Sequence, residues 1–176
     1  MKSNSSDIKP GRIKTYHVAI AAEAFAAGMF AQAGYDVSIQ YGANQPDYDL
    51  IVKKSGLQKF LAISVKGSQD GGWGLLQSYK KGRTYFEAID AWFENQGKGT
   101  IFCLVQLQGK KLGECPDVFL ATPKEIADLL KTGRGGKGIL ALPMKKTYKK
   151  GVGKGQEFGI PESWRFGKER IEIMFK

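Results

Sequence analysis

The chain has a single histidine, His17, and only two cysteines, Cys103 and Cys115. One histidine excludes every site that needs two, the HExxH zinc proteases among them, and a Cys/His zinc finger is equally out of reach. With so few cysteines there is no disulfide framework, which makes a reducing, cytoplasmic compartment the expectation. Long apolar runs are missing as well. The segment from Val18 to Ala33 is rich in alanine and interrupted by Glu23 and Gln32, too short and too polar to span a bilayer. The opening Met1-Lys2-Ser3-Asn4-Ser5-Ser6 lacks the apolar centre of a signal peptide. No membrane partner is expected. Neither Gly133-Arg134-Gly135-Gly136-Lys137-Gly138 nor Gly151-Val152-Gly153-Lys154 has the Walker spacing, so nucleotide binding gains little support.

What is present is an ordinary globular composition with an unusual charge. The 176 residues are 42% hydrophobic and 25% charged, which suits one domain around one core. Against 17 acidic residues stand 27 Lys and Arg, a formal net charge of +10. An excess of this size points to a polyanion, because basic side chains on a phosphate lattice release counterions. Ribosomal, chromatin-like and membrane-surface partners would give the same excess; nucleic acid is favoured. The excess is uneven: residues 123–176 hold 13 basic residues against 6 acidic ones, whereas residues 67–122 balance at 6 and 6. The last third therefore reads as the main electrostatic footprint. Within it Lys145, Lys146, Lys149 and Lys150 flank Tyr148, with Lys154 close behind; a nucleic-acid-contacting arm and a solvated surface both fit.

Periodicity gives the order of elements. A helix is expected from about Gly11 to Ala33, ended by Gly34. Tyr35 to Gln40 alternates like a strand, Tyr41 to Pro46 is turn chemistry, and Asp49 to Val52 and Phe60 to Val65 form a hairpin around Ser55-Gly56. A glycine-rich stretch, Gly67 to Gly74, reads as either a phosphate-approaching loop or a flexible connection. Tyr79 to Asn95 has the pattern of an amphipathic helix, with Tyr85, Ile89, Trp92 and Phe93 on one face. Thr100 to Leu107 and Asp117 to Ala121 read as strands. Thr122, Pro123 and Glu125 then start a helix as cap, first residue and capping-box acid, running to about Lys131. Ile139 to Leu142 and Arg170 to Phe175 complete the set as strands, and Trp73, Trp92 and Trp164 are assigned to the core. A helix between the third and fourth strands makes those two parallel. The expected fold class is α/β: an α/β/α sandwich around a central mixed sheet.

Pro46-Asp47-Tyr48-Asp49-Leu50-Ile51-Val52 followed by Ala62-Ile63-Ser64-Val65-Lys66 resembles the core of the PD-(D/E)XK nucleases. Holliday-junction resolvases and many restriction enzymes belong to that superfamily. An Asp there opens the second strand, an acid-X-Lys triplet ends the third, and a Glu often comes from the preceding helix. The matching positions are Asp49, Ser64-Val65-Lys66 and Glu23, and the likeness covers residues 15–121, with residues 123–176 as a basic C-terminal extension of a single domain. It implies a restriction-endonuclease-like core, a Mg²⁺-dependent (or Mn²⁺-dependent) endonuclease acting on double-stranded DNA, and commonly a homodimer. Asp49 and Glu23 would hold the metal, with the Val65 carbonyl as a further ligand, since Mg²⁺ prefers oxygen donors and keeps water and substrate phosphate. Lys66 would orient water or offset developing negative charge, and Ser64, two residues back on the same strand face, would point with it toward the metal as a further member of the catalytic set.

Each residue also has a plainer role open to it. Glu23 is the only charged residue between Thr15 and Tyr35, and either serves a site or lies on a wet edge. Asp49 suits a turn cap after Pro46. Lys66 suits a solvated strand end. Ser64 is the departure: the family places an acid there, and a hydroxyl is a neutral, weaker ligand. Glu87 stands where a compensating acid from the next helix would come. Without compensation, the expectation becomes a catalytically inactive nucleic-acid-binding module of the same fold.

Overall fold

A computed structural model describes residues 13–40 and 48–176. The expected turn at Tyr41–Pro46, the Pro46-Asp47 start of the motif and residues 1–12 lie outside them. Five strands form one mixed sheet: β1 (Asp36–Ile39), β2 (Leu50–Lys53), β3 (Phe60–Ser68), β5 (Thr100–Gln106) and β6 (Asp117–Ala121), in the order β1-β2-β3-β5-β6. A two-residue strand, β4 (Gly72–Trp73), lies outside this sheet. All neighbours are antiparallel except β3 and β5, which are parallel. The crossover between them contains α2 (Tyr85–Glu94), as a parallel connection requires.

Side-chain alternation on the strands builds two cores, one on each face. Leu61, Ile63 and Val65 of β3, with Ile101 and Cys103 of β5, pack against α1 (Thr15–Gln32) and α4 (Lys168–Met174). Phe102, Leu104 and Phe119 face the other way, toward α2 and α3 (Pro123–Gly136). The chain is thus α/β, a central mixed sheet with helices on both faces. Among the described residues no helix is long and apolar enough to cross a membrane.

Residues after 123 belong to these cores: Ile126, Leu130 and Leu142 enter one, Ile171, Met174 and Phe175 the other. The expected strand over Arg170–Phe175 is the helix α4. Its apolar residues alternate in sequence, but Arg170, Ile171, Met174 and Phe175 are buried while Ile173 is 50% exposed, which is helical spacing. Arg170 ties the helix down. Its Nε donates to the Leu120 carbonyl at 3.0 Å and its terminal nitrogen to both Glu125 oxygens at 2.8 and 2.7 Å. The expected helix from Tyr79 begins only at Tyr85, capped by Thr84, and leaves Phe93 41% exposed. Of Ile139–Leu142, only Leu142 is in a strand, β7 (Leu142–Pro143), which pairs with β4. Two short strands, β8 (Lys145–Thr147) and β9 (Glu157–Gly159), form a separate hairpin.

Candidate active site

β2 and β3 pair as far as Leu50 opposite Ile63, and Asp49 sits where the pairing stops. Its N–H donates to the Ile63 carbonyl at 2.8 Å, and its Oδ2 accepts the Val65 N–H at 2.6 Å. The acid at the mouth of β2 is therefore locked to β3, one residue from Lys66. α1 crosses close above. A Cβ on Gly67 would stand 2.8 Å from the Val18 carbonyl oxygen and 2.8 Å from the Ala22 Cβ, distances that real side chains do not adopt. Gly67 thus lets the helix lie against the strand, which brings Glu23, one residue beyond Ala22, beside Asp49.

Glu23, Asp49, Val65 and Lys66 border one cleft of about 420 Å³, and Asp70 lies on its rim. The glycine-rich stretch forms the far wall as a folded turn. Ser68 Oγ donates to the Gly72 carbonyl at 2.5 Å and accepts from the Asp70 N–H at 3.2 Å; Trp73 Nε1 donates to the Lys66 carbonyl at 2.6 Å. Gln69 exchanges two hydrogen bonds with the Ile13 backbone at 3.2 and 2.6 Å, holding the wall to the start of α1.

The charges in the cleft interact. Burial and then the nearby negative charge of Asp49 push the Glu23 carboxyl above its ordinary value, and Lys66 pulls the other way. Burial, with a further push from Asp49, also raises the Cys103 thiol beneath the sheet. A partly buried carboxyl whose ionisation is opposed by a second carboxylate beside it gains from a cation between the two.

Other expected residues fall elsewhere. Ser64 is 7% exposed on β3, opposite Phe102, and does not line the cleft. Glu87 is not brought to it either: its carboxylate accepts the Thr84 N–H at 2.7 Å in a capping box at the start of α2. A helix start consumes that acid, so it compensates for nothing at Ser64. Lys145, Lys146, Lys149, Lys150 and Lys154 are exposed on or near the β8–β9 hairpin, away from the cleft. Asp70 is the cleft residue that the sequence reading did not single out; its signal was an acid inside the glycine-rich stretch just after the triplet. Among the described residues no group of three or more His, Cys, Asp and Glu side chains is placed to hold a metal.

Comparison with known proteins returns nothing: no family model, curated protein or solved structure matches the chain.

Proposed function

We propose that the chain is a metal-dependent DNA endonuclease of the PD-(D/E)XK type, with a restriction-endonuclease-like core. The observation that carries this reading is the convergence of Glu23 of α1, Asp49 at the start of β2 and Lys66 of β3 on a single cleft. Mg²⁺ or Mn²⁺ is the implied cofactor. The donor set suits it: two carboxylates whose mutual repulsion a divalent ion relieves, with the Val65 carbonyl as a further hard oxygen. Bound there, such an ion would polarise the phosphate and make water acidic enough to attack. The chain's own groups do the rest. Asp49 and Glu23 hold the ion's position, Asp49 being fixed by Val65. Lys66 stabilises the negative charge that develops on the phosphate oxygens.

The alternative is a nucleic-acid-binding module of the same architecture that does not cut; it is favoured by the neutral Ser64 and by the cleft's small number of acids. Incubation of supercoiled plasmid with the pure protein separates the two. Nicking that requires Mg²⁺ or Mn²⁺, stops in EDTA and disappears in Asp49→Ala and Lys66→Ala supports the enzyme. A parent protein that binds DNA but never nicks it, or variants that cut like the parent, overturns it.

A further inference from the structure

The cleft is the end of a longer groove. Its wall residues Asp70, Gly72, Trp73 and Gly74 also line a second cavity of about 750 Å³. Tyr85 and Arg134 line both that cavity and a third one of about 840 Å³. Basic side chains gather along this path: Lys146 and Arg134 in the second cavity, then Lys80, Arg83 and Lys137 beside Arg134 in the third. Among the described residues the acids on these walls are Asp70 and Glu87; the Glu87 carboxylate is turned to the Thr84 backbone and also feels Arg83 and Lys80.

Among the described residues none of these five cations forms an ion pair, although eight such pairs occur elsewhere. Lys145 makes the contrast. It neighbours Lys146 on β8, so its side chain leaves the opposite face, and it pairs with Glu157 at 3.4 Å. Three of the groove cations sit on aromatic rings: the Lys80 ammonium and the Arg134 guanidinium lie 5.4 and 5.1 Å from the Tyr85 ring centre, and the Lys146 ammonium 5.1 Å from that of Tyr148. Lys80 also donates to the Arg83 carbonyl, and Arg83 to the Tyr79 carbonyl at 3.2 Å. The turn carrying Arg134 is held in place. Gly135 N–H donates to Gln156 Oε1 at 2.8 Å, and a Cβ on Gly153 would come within 3.0 Å of the Arg134 carbonyl carbon.

Five positive charges along this path, none in an ion pair among the described residues and only Lys80 and Arg83 facing the nearby Glu87 carboxylate, repel one another, and a linear polyanion in the groove relieves that cost while releasing its counterions. We propose that the groove holds the sugar–phosphate backbone of DNA beside the bond to be cut, with Lys80, Arg134, Lys137 and Lys146 as phosphate contacts. The identity of the polyanion rests on the nuclease reading; the location of the contacts does not. This moves the footprint from the exposed lysines of the β8–β9 turn to a channel that leads into the cleft.

Two variants of equal charge test it. One combines Lys80→Gln, Lys137→Gln and Lys146→Gln; the other combines Lys149→Gln, Lys150→Gln and Lys154→Gln, which line none of the three cavities. Binding of a fluorescein-labelled DNA duplex is followed by anisotropy in EDTA over a range of salt. The groove variant should lose on the order of tenfold in affinity, and its salt slope should flatten by about 0.9 for each phosphate contact removed. The turn variant should stay within about threefold of the parent. Equal losses, or a larger loss in the turn variant, overturn the proposal. If the groove variant melts early, Lys137→Gln and Lys150→Gln, single changes on exposed side chains, replace the two, and only the first should weaken binding and flatten the salt slope, by about 0.9. Because binding is read without metal, the two readings fail separately. Selective loss in the groove variant without any cleavage by the parent sinks the nuclease and keeps the groove. Asp49-dependent cleavage with equal losses does the reverse.

Discussion

The Asp49 carboxylate accepts the backbone N–H of Val65 at 2.6 Å, so one side chain both closes the end of a β-ladder and borders the candidate metal site. The two duties can be separated. Asp49→Asn keeps an oxygen that can accept from Val65, whereas Asp49→Ala leaves that N–H without its partner. In urea denaturation the Ala variant should lose about 1–3 kcal/mol, the usual cost of orphaning such a donor, and the Asn variant clearly less. Both should lose cleavage by on the order of a hundredfold or more. An Asn variant that cuts like the parent would show that the charge of Asp49 is not needed.

Glu23 ionises less readily than an ordinary glutamate, chiefly because it is buried and faces Asp49. The folded chain therefore holds the Glu23 proton more tightly than the unfolded chain does. Its ionisation costs stability, a cost that is absent at pH well below the ordinary value of 4.5 and complete above the raised folded value. Glu23→Gln should melt higher than the parent at neutral pH, with the difference closing as the pH falls. Mg²⁺ should raise the melting temperature of the parent and leave that of Glu23→Gln nearly unchanged. Thermal unfolding with and without Mg²⁺ at several pH values reads both effects. A variant that melts lower than the parent at neutral pH would mean that Glu23 is a structural anchor.

Gly67 has no room for a methyl group beneath α1. One of the blocking atoms is a backbone oxygen, so relief requires the helix itself to move. Gly67→Ala should cost about 1–3 kcal/mol and shift Glu23 away from Asp49, lowering cleavage more than DNA binding. Denaturation, anisotropy and nicking measured on the same sample give the comparison. Unchanged cleavage in a destabilised variant would show that the position of Glu23 is not critical.

Where local chemistry decides an element, the sequence was legible. Thr122-x-x-Glu125 forms its capping box, with Glu125 N–H to Thr122 Oγ1 at 3.1 Å and Thr122 N–H to Glu125 Oε2 at 2.8 Å. Gly34 ends α1 with a φ of +90°, and the parallel pairing of β3 with β5 followed from the helix between them. Thr84-x-x-Glu87 carries the same signature as Thr122-x-x-Glu125; reading it would have started α2 at Tyr85 and removed Glu87 from the candidate acids. Tertiary context decided the rest. Ile171, Ile173 and Phe175 alternate like a strand, yet what fixes the segment is the contact of Arg170 with Glu125, far away in sequence. The lysines around Tyr148 were visible as a charge cluster, but only the fold places Lys146 in one cavity with Arg134 while Lys145 turns to Glu157.

The pairing of Gly72 with Pro143 and of Trp73 with Leu142 joins the wall of the acid cleft to the strand leading to Lys146. Trp73 continues the link to the Lys66 carbonyl. Should ion uptake at one end and strand uptake at the other both shift this shared body, each would alter the other's affinity by the same factor, as thermodynamic linkage demands. With a favourable sign, that coupling would make the proposed ion bind most tightly when the channel is already filled, an order of events that would keep a nuclease quiet until there is something to cut.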